Sequence, residues 1–197
     1  MSSRARAVTA VIAPVVALAA AACSTTAGPA ATGSGTPPPA GLVGADCGMF
    51  PAHGGGSVRT LRAKPVLAAA SSNPQLSVFV AAVRTAGLDH TFAARRPFTL
   101  MIPANLAFGG LTRPQISTLH GHAALRRVVG YHAIGAAIRP AQFGRGASYR
   151  TVQGASLRVS RSGADYKVNG ATVLCGNIPT AGGTLYVINK VLLPPGS

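Results

Sequence analysis

The chain has 197 residues and carries 18 Lys plus Arg against three acidic residues, a formal charge of +15 with no glutamate. Its carboxylates, Asp46, Asp89 and Asp165, stand far apart in sequence, which leaves no carboxylate pair for glycosidase-type acid–base work. A basic chain is the usual footprint of a nucleic-acid binder, but aromatics make up 5% of this one and its arginines are scattered or sit in the pairs Arg95-Arg96 and Arg126-Arg127, so no nucleic-acid partner is expected.

Arg4 and Arg6 precede a run from Ala7 to Ala22 that holds no charge. The run is short of the roughly 20 residues a membrane span needs, and with its positive flank it has the pattern of a signal peptide over 1–22. Ala20-Ala21-Ala22 supplies small side chains before Cys23, so cleavage is expected there. Ala20 stands where a bacterial lipobox has leucine, and two outcomes stay open: lipidation of Cys23, or secretion after cleavage at an Ala-x-Ala site. The separated arginines point to general secretion rather than twin-arginine export. A diacylated, palmitate-bearing Cys23 would hold the chain at the membrane, because each buried methylene adds about 0.8 kcal/mol and two chains anchor stably. Residues 23–46, rich in Ser, Thr, Ala, Gly and Pro around Pro37-Pro38-Pro39, form a tether. As a coil it spans on the order of 25–30 Å.

Residues 47–197 are the length of one compact domain, with its core expected over about 64–195. Gly54-Gly55-Gly56-Ser57 is expected to be a flexible joint, since no Gly-Lys-Ser/Thr follows to make it a phosphate loop. Pro65–Ala70 predicts a short helix. Asn73-Pro74 offers a cap and a first-turn proline for a longer one, whose Leu76, Phe79, Val80 and Val83 share a face and which Gly87 stops. Phe98–Ile102 predicts a strand ended by Pro103, and Asn105 a cap for a short helix through Leu106 and Phe108. Leu119, Leu125, Val128 and Val129 suggest helical turns before the chain extends again from Tyr131 to Ile134. Beyond Tyr149 the pattern is of strands: 149–152, 156–160, 166–168, 171–175 and 184–193. Asn169-Gly170 is a hairpin cue, because both residues tolerate positive φ.

Four stretches in order resemble one family. Pro97-Phe98-Thr99-Leu100-Met101-Ile102-Pro103-Ala104-Asn105-Leu106-Ala107-Phe108 is similar to the first signature box of fasciclin domains. Gly183-Thr184-Leu185-Tyr186-Val187-Ile188-Asn189-Lys190-Val191-Leu192-Leu193-Pro194-Pro195 is similar to the second, with Tyr131-His132 and Val168-Asn169-Gly170-Ala171 between them. The resemblance implies an α+β fold, a fasciclin-like β-wedge of about seven strands with flanking short helices. Leu42–Cys47 together with Leu174-Cys175-Gly176 resembles the single-domain secreted or lipid-anchored fasciclin antigens of mycobacteria. In those relatives two cysteines bridge, which implies a Cys47–Cys175 disulfide. Ala104 and Asn189 depart from the family pattern, which has Thr and Asp there, and the second swap removes a charge that would pair with a basic surface.

Apart from a disulfide, Cys47 or Cys175 could serve as a nucleophile with His132 as base, which would need an orienting group and a cleft. His120 and His122 flank a glycine without a further ligand nearby, so they are expected as solvated loop histidines and no metal or other cofactor is expected. Tyr131 and His132, if extended, face opposite ways, one in the core and one half exposed. The family links this motif to adhesion, and packing with a tyrosine hydrogen bond is the competing role. No Gly-x-Ser-x-Gly, Gly-x-Gly-x-x-Gly or Walker loop is present. The resemblance and these absences imply a non-enzymatic, extracytoplasmic surface lipoprotein engaged in adhesion or binding. Its partners would be the membrane through acylated Cys23 and, beyond it, envelope glycans, anionic headgroups or host matrix proteins. A carrier or sensor of a small apolar or lipidic ligand is the alternative, and a redox protein using Cys175 a third.

Overall fold

Burial with a period of two along the strands, against a period near 3.6 along the helices, divides the apolar residues between two cores. The structure, a computed structural model, describes residues 41–94 and 97–196. Its helices are α1 (Val58–Leu61), α2 (Val66–Ser71), α3 (Ser77–Thr85), α4 (Asp89–Ala94), α5 (Arg113–Leu119) and α6 (His122–Tyr131). The strands are β1 (Phe98–Pro103), β2 (Ala133–Ile134), β3 (Ser148–Arg150), β4 (Ser156–Ser162), β5 (Asp165–Val168), β6 (Ala171–Thr180) and β7 (Gly183–Ile188).

They form one sheet in the order β2-β1-β7-β6-β5-β4-β3, in which β1 and β7 run parallel and the other neighbours antiparallel. A bridge between Ile134 and Thr151, with the Val152 N–H donating to the Ala133 carbonyl at 2.7 Å, nearly closes the two edges on each other. The architecture is therefore an α+β wedge.

On β1 and β7 both faces are buried. Phe98, Leu100, Ile102, Leu185 and Val187 pack with the helices, whereas Met101, Tyr186 and Ile188 point into the wedge. Helix α3 contributes Phe79, Val80 and Val83 to the first core, beside Leu76. Inside the wedge, Tyr131, Phe143, Tyr166 and Tyr186 pack among aliphatic residues of β4, β5 and β6, with Phe143 edge-on to Tyr166 at 5.4 Å between ring centroids.

Local signals set most boundaries. Asn73 accepts the Gln75 N–H at 3.0 Å and caps a 3-10 turn, Pro74–Leu76, that leads into α3. Gly87, at φ +64°, ends that stretch. Asn169 and Gly170, both at positive φ, make the two-residue turn between Val168 and its partner Ala171.

Three boundaries differ from expectation. Strand β6 continues past Cys175 to Thr180 through bulges around Cys175, because Gly176 admits the Tyr186 ring where a Cβ would collide with it. Strand β7 stops at Ile188: Asn189 turns aside to exchange hydrogen bonds with Thr172. The stretch 54–57 is an ordered turn rather than a slack joint, since Ser57 is buried and caps α1, while the Gly54 and Gly55 carbonyls accept from Thr60 Oγ1 and Lys64 Nζ.

Residues 41–46, assigned to the tether, pack on the domain. Leu42 is buried, Val43 bridges Gly176, and the Asp46 N–H donates to the Leu174 carbonyl. This segment lies along the edge of β6 that β5 leaves unpaired. Cys47 then joins Cys175 in a disulfide, with Cα atoms 4.7 Å apart at a sequence separation of 128. Both cysteines are buried in the helix-side core.

A link across so long a loop removes much of the unfolded chain's freedom. In the chain-entropy picture that is worth about 5 kcal/mol, a large part of a typical domain's stability. Cys47→Ser/Cys175→Ser is expected to lose about that much in guanidinium unfolding, and a loss below about 1 kcal/mol would mean that packing alone holds residues 41–50 in place.

Candidate functional site

Helix α6 ends at Tyr131, and His132 keeps right-handed helical angles, φ −79° and ψ −5°. The extension expected from Tyr131 is thus confined to Ala133–Ile134. Because the backbone does not alternate there, the two side chains do not divide between core and surface: Tyr131 is 1% exposed and His132 fully buried. The expected half-exposed member of the pair is corrected accordingly.

His132 ties three elements together. Its backbone N–H donates to the Val129 carbonyl, continuing the helix, and its own carbonyl accepts from Met101 on β1 at 2.8 Å. The ring Nε2 lies 3.0 Å from the Leu192 N–H, which can only donate. Nε2 is therefore the acceptor, and Nδ1 carries the proton that reaches the Val128 carbonyl at 2.8 Å. Phe79 of α3 covers the ring at 5.0 Å between centroids. Burial holds the imidazole at a pKa of about 4, below its ordinary 6.5, with the Val128 hydrogen bond opposing that shift in part. At neutral pH His132 is an uncharged strut without a carboxylate to orient it, and the two cysteines, bonded to each other, leave it no thiol to activate.

Tyr131 joins the motif on either side of it. Its hydroxyl donates to the Ser156 carbonyl at 3.0 Å and accepts from Asn169 Nδ2 at 2.7 Å. Asn169 in turn accepts the Arg158 N–H through Oδ1 at 2.8 Å. The Tyr-His and Val-Asn-Gly-Ala motifs are thereby one hydrogen-bonded unit that locks the turn of the β5–β6 hairpin to the end of α6. Neither Tyr131 nor His132 offers a surface to a partner, so the expected binding role of these two side chains is replaced by a structural one.

Asn105 is a cap, but of another helix. The 3-10 turn it begins, Asn105–Gly110, has Ala104 at its cap position without a side-chain bond. Asn105 Oδ1 instead accepts from Val78 N–H at 3.1 Å, and its Nδ2 donates to the Pro74 carbonyl and to Ser77 Oγ, closing the start of α3. Asn189, where the family has an acid, accepts from the Thr172 N–H at 2.8 Å as a neutral amide. The position thus works as a hydrogen-bond acceptor with no ion pair.

His120 and His122 are exposed at the junction of α5 and α6, and among the described residues no three His, Cys, Asp or Glu side chains converge as a metal site would require. Cys23 lies outside the described residues. Thr99 was not anticipated: fully buried, it donates to Ala136 and accepts from Ile138, fastening the loop after β2 across β1. Tyr186, whose hydroxyl burial pushes well above its ordinary pKa, donates to Ile138. Among the described residues no buried side-chain nitrogen or oxygen lacks a partner. The wedge interior is filled by its own side chains. Among the described residues, hollows open beside Leu106, Leu111, Val191 and Leu193, of about 330 Å³, and beside Gln142 and Tyr149, of about 420 Å³.

The model of the fasciclin domain family matches residues 74–194. The chain is 34% identical over 178 residues to the cell surface glycolipoprotein MPB83 of Mycobacterium bovis, covering 86% of this chain and 80% of that protein. It is 34% identical over 181 residues to the immunogenic protein MPT70 of Mycobacterium tuberculosis, covering 86% and 92%. Among solved structures, the FAS1 domain pair of the insect cell adhesion molecule fasciclin I matches with a TM-score of 0.50 at 17% identity over 64% of this chain. The chain spans 47% of that structure, and the likeness concerns the fold.

A histidine buried uncharged couples stability to pH. Between pH 6.5 and 4 the unfolded chain binds a proton at His132 that the folded chain does not, so stability present above pH 6.5 declines as pH falls toward 4. Urea unfolding at pH 7.5 and 4.5 is expected to differ by about 2–3 kcal/mol. A His132→Gln variant, less stable throughout, is expected to lose most of that difference, and an equal pH dependence in both proteins would contradict the assignment.

Proposed function

The chain belongs to the fasciclin domain family, and from that premise we infer that it is a non-enzymatic protein displayed outside the cell, whose domain binds a partner at the cell envelope or host interface. The observation that carries the extracytoplasmic part is the Cys47–Cys175 disulfide, since such bonds form and persist in oxidising compartments. MPB83, similar along most of its length, is named a cell surface glycolipoprotein, which agrees with an anchor at Cys23.

With Cys23 acylated, the 17 residues from Ser24 to Ala40 separate the lipid from the first described residue, Gly41. Non-catalytic binding is supported by the state of the candidate reactive groups. Both cysteines of the domain are bonded to each other, His132 is neutral and enclosed, and Tyr131 is engaged at its hydroxyl. A filled wedge interior favours recognition on the outside of the domain over carriage of an apolar ligand within it.

Intact mass of the protein extracted from membranes tests this reading. The expected species starts at Cys23, carries a diacylglycerol and a further acyl chain, and is lighter by the two hydrogens of one disulfide. An unprocessed chain with three free thiols in the cytosol would refute it. A processed chain without lipid, found in the medium, would leave a secreted binder and remove the anchor.

A further inference from the structure

The face of the sheet that β1, β6 and β7 turn toward the helices is left bare on β3, β4 and β5. There the burial pattern alternates, with Leu157, Val159, Tyr166 and Val168 inward, and Ser156, Arg158, Ser160 and Lys167 outward. Strand register decides which outward residues are neighbours. Ser148 pairs with Arg158, Arg150 with Ser156, and Ser160 with Lys167. Arg150, Arg158 and Lys167 therefore each step one strand across and two residues along, which places them on one straight diagonal. With ordinary strand spacing and rise, successive Cα atoms on it are about 8 Å apart.

The positions flanking the diagonal are hydroxyl residues: Ser148, Ser156 and Ser160, with Thr172 opposite Lys167 on β6. Asp165 is the one acid on this face, opposite Ser162 at the hairpin end. The one carboxylate ion pair among the described residues joins Asp89 to His90, so none of the three stripe cations is neutralised by a carboxylate there. Arg158 is held in place by its backbone, whose N–H and carbonyl are both bonded to Asn169. That anchor is the same Asn169 that Tyr131 fixes from inside.

We propose that the outward face of β3–β5 binds an anionic polysaccharide lying along the Arg150–Arg158–Lys167 diagonal. Guanidinium forks match carboxylate and sulfate groups, and flanking hydroxyls suit sugar hydroxyls. The outward positions of this face carry no apolar side chain to enter a lipid layer and no aromatic ring to stack a nucleobase. This inference rests on the extracellular binding role above and names its site and its partner's chemistry.

The test uses the full chain carrying Cys23→Ser, so that no acyl group takes part, and two triple variants of equal charge loss. One is Arg150→Ser/Arg158→Ser/Lys167→Ser; the other, off the stripe, is Arg59→Ser/Arg62→Ser/Arg113→Ser. Titration with heparin and with alginate is expected to show roughly tenfold or greater weakening for the first triple and less than about threefold for the second. Binding by the parent should also weaken as salt rises from about 50 to about 300 mM. Equal losses in both triples, no binding by the parent, or salt-insensitive binding would each overturn the proposal. So would adsorption to phosphatidylglycerol vesicles that the first triple abolishes while heparin binding stays intact, because a membrane would then own the face. Arg150→Lys/Arg158→Lys keeps charge and fold and is expected to weaken binding through loss of the forks; full retention in it, with loss in the first triple, reduces the site to charge alone. An acylated, surface-borne chain that binds neither polysaccharide loses this inference and leaves the proposed function standing.

Discussion

Burial of β1 and β7 on both faces is the constraint on which the rest of the structure depends. A strand with two dry faces needs a core on each side, and this chain supplies one from the helices and one from the inside of the wedge. The parallel pairing of β1 with β7 joins segments more than eighty residues apart, so everything between them must leave and return within one nearly closed sheet. That demand explains why polar links across the wedge are few and fully satisfied. His132, Thr99 and Tyr186 each bind backbone atoms of the loops that carry the chain around.

The same arrangement separates scaffold from surface. The family's Tyr-His motif belongs to the scaffold: its tyrosine holds the Asn169 turn and its histidine holds the segment through Leu192. Changes there would reach a binding surface indirectly, by loosening β4 and β5. The two layers meet at Asn169, which bonds to Tyr131 on the inner side and to the Arg158 backbone on the outer. A motif noted for binding and a pair of buried side chains are thus compatible, since a fixed strand register is what keeps the outward-facing cations aligned.

Much of the fold was legible in local pattern. The apolar β-type run over 98–102, the strand pattern beginning at Thr184, the Asn73-Pro74 start, the Gly87 stop and the Asn169-Gly170 turn all rest on residue types within a few positions, which is why they could be placed without a partner in view. Elements that failed did so where a distant group decides the outcome. The chain after Tyr131 stays helical because the His132 ring is claimed by Val128 and by Leu192, sixty residues later. Asn105 caps α3 rather than its own turn because β1 delivers it beside Ser77. Residues 42–46 look like linker, yet β6 has an edge that β5 leaves open for them.

By itself the sequence determined the charge excess, the small number of carboxylates, the turn chemistry and the apolar periodicity, because each depends on residue type and short spacing alone. Tertiary structure decided which cysteines meet, which tautomer His132 adopts, and that Tyr131 is hidden. It also decided that Arg150, Arg158 and Lys167, unremarkable and scattered in the chain, fall on one line. The physical reason is register: a strand's partner and offset are set by which side chains share a core, and a one-residue slip would turn the same three cations to the other face.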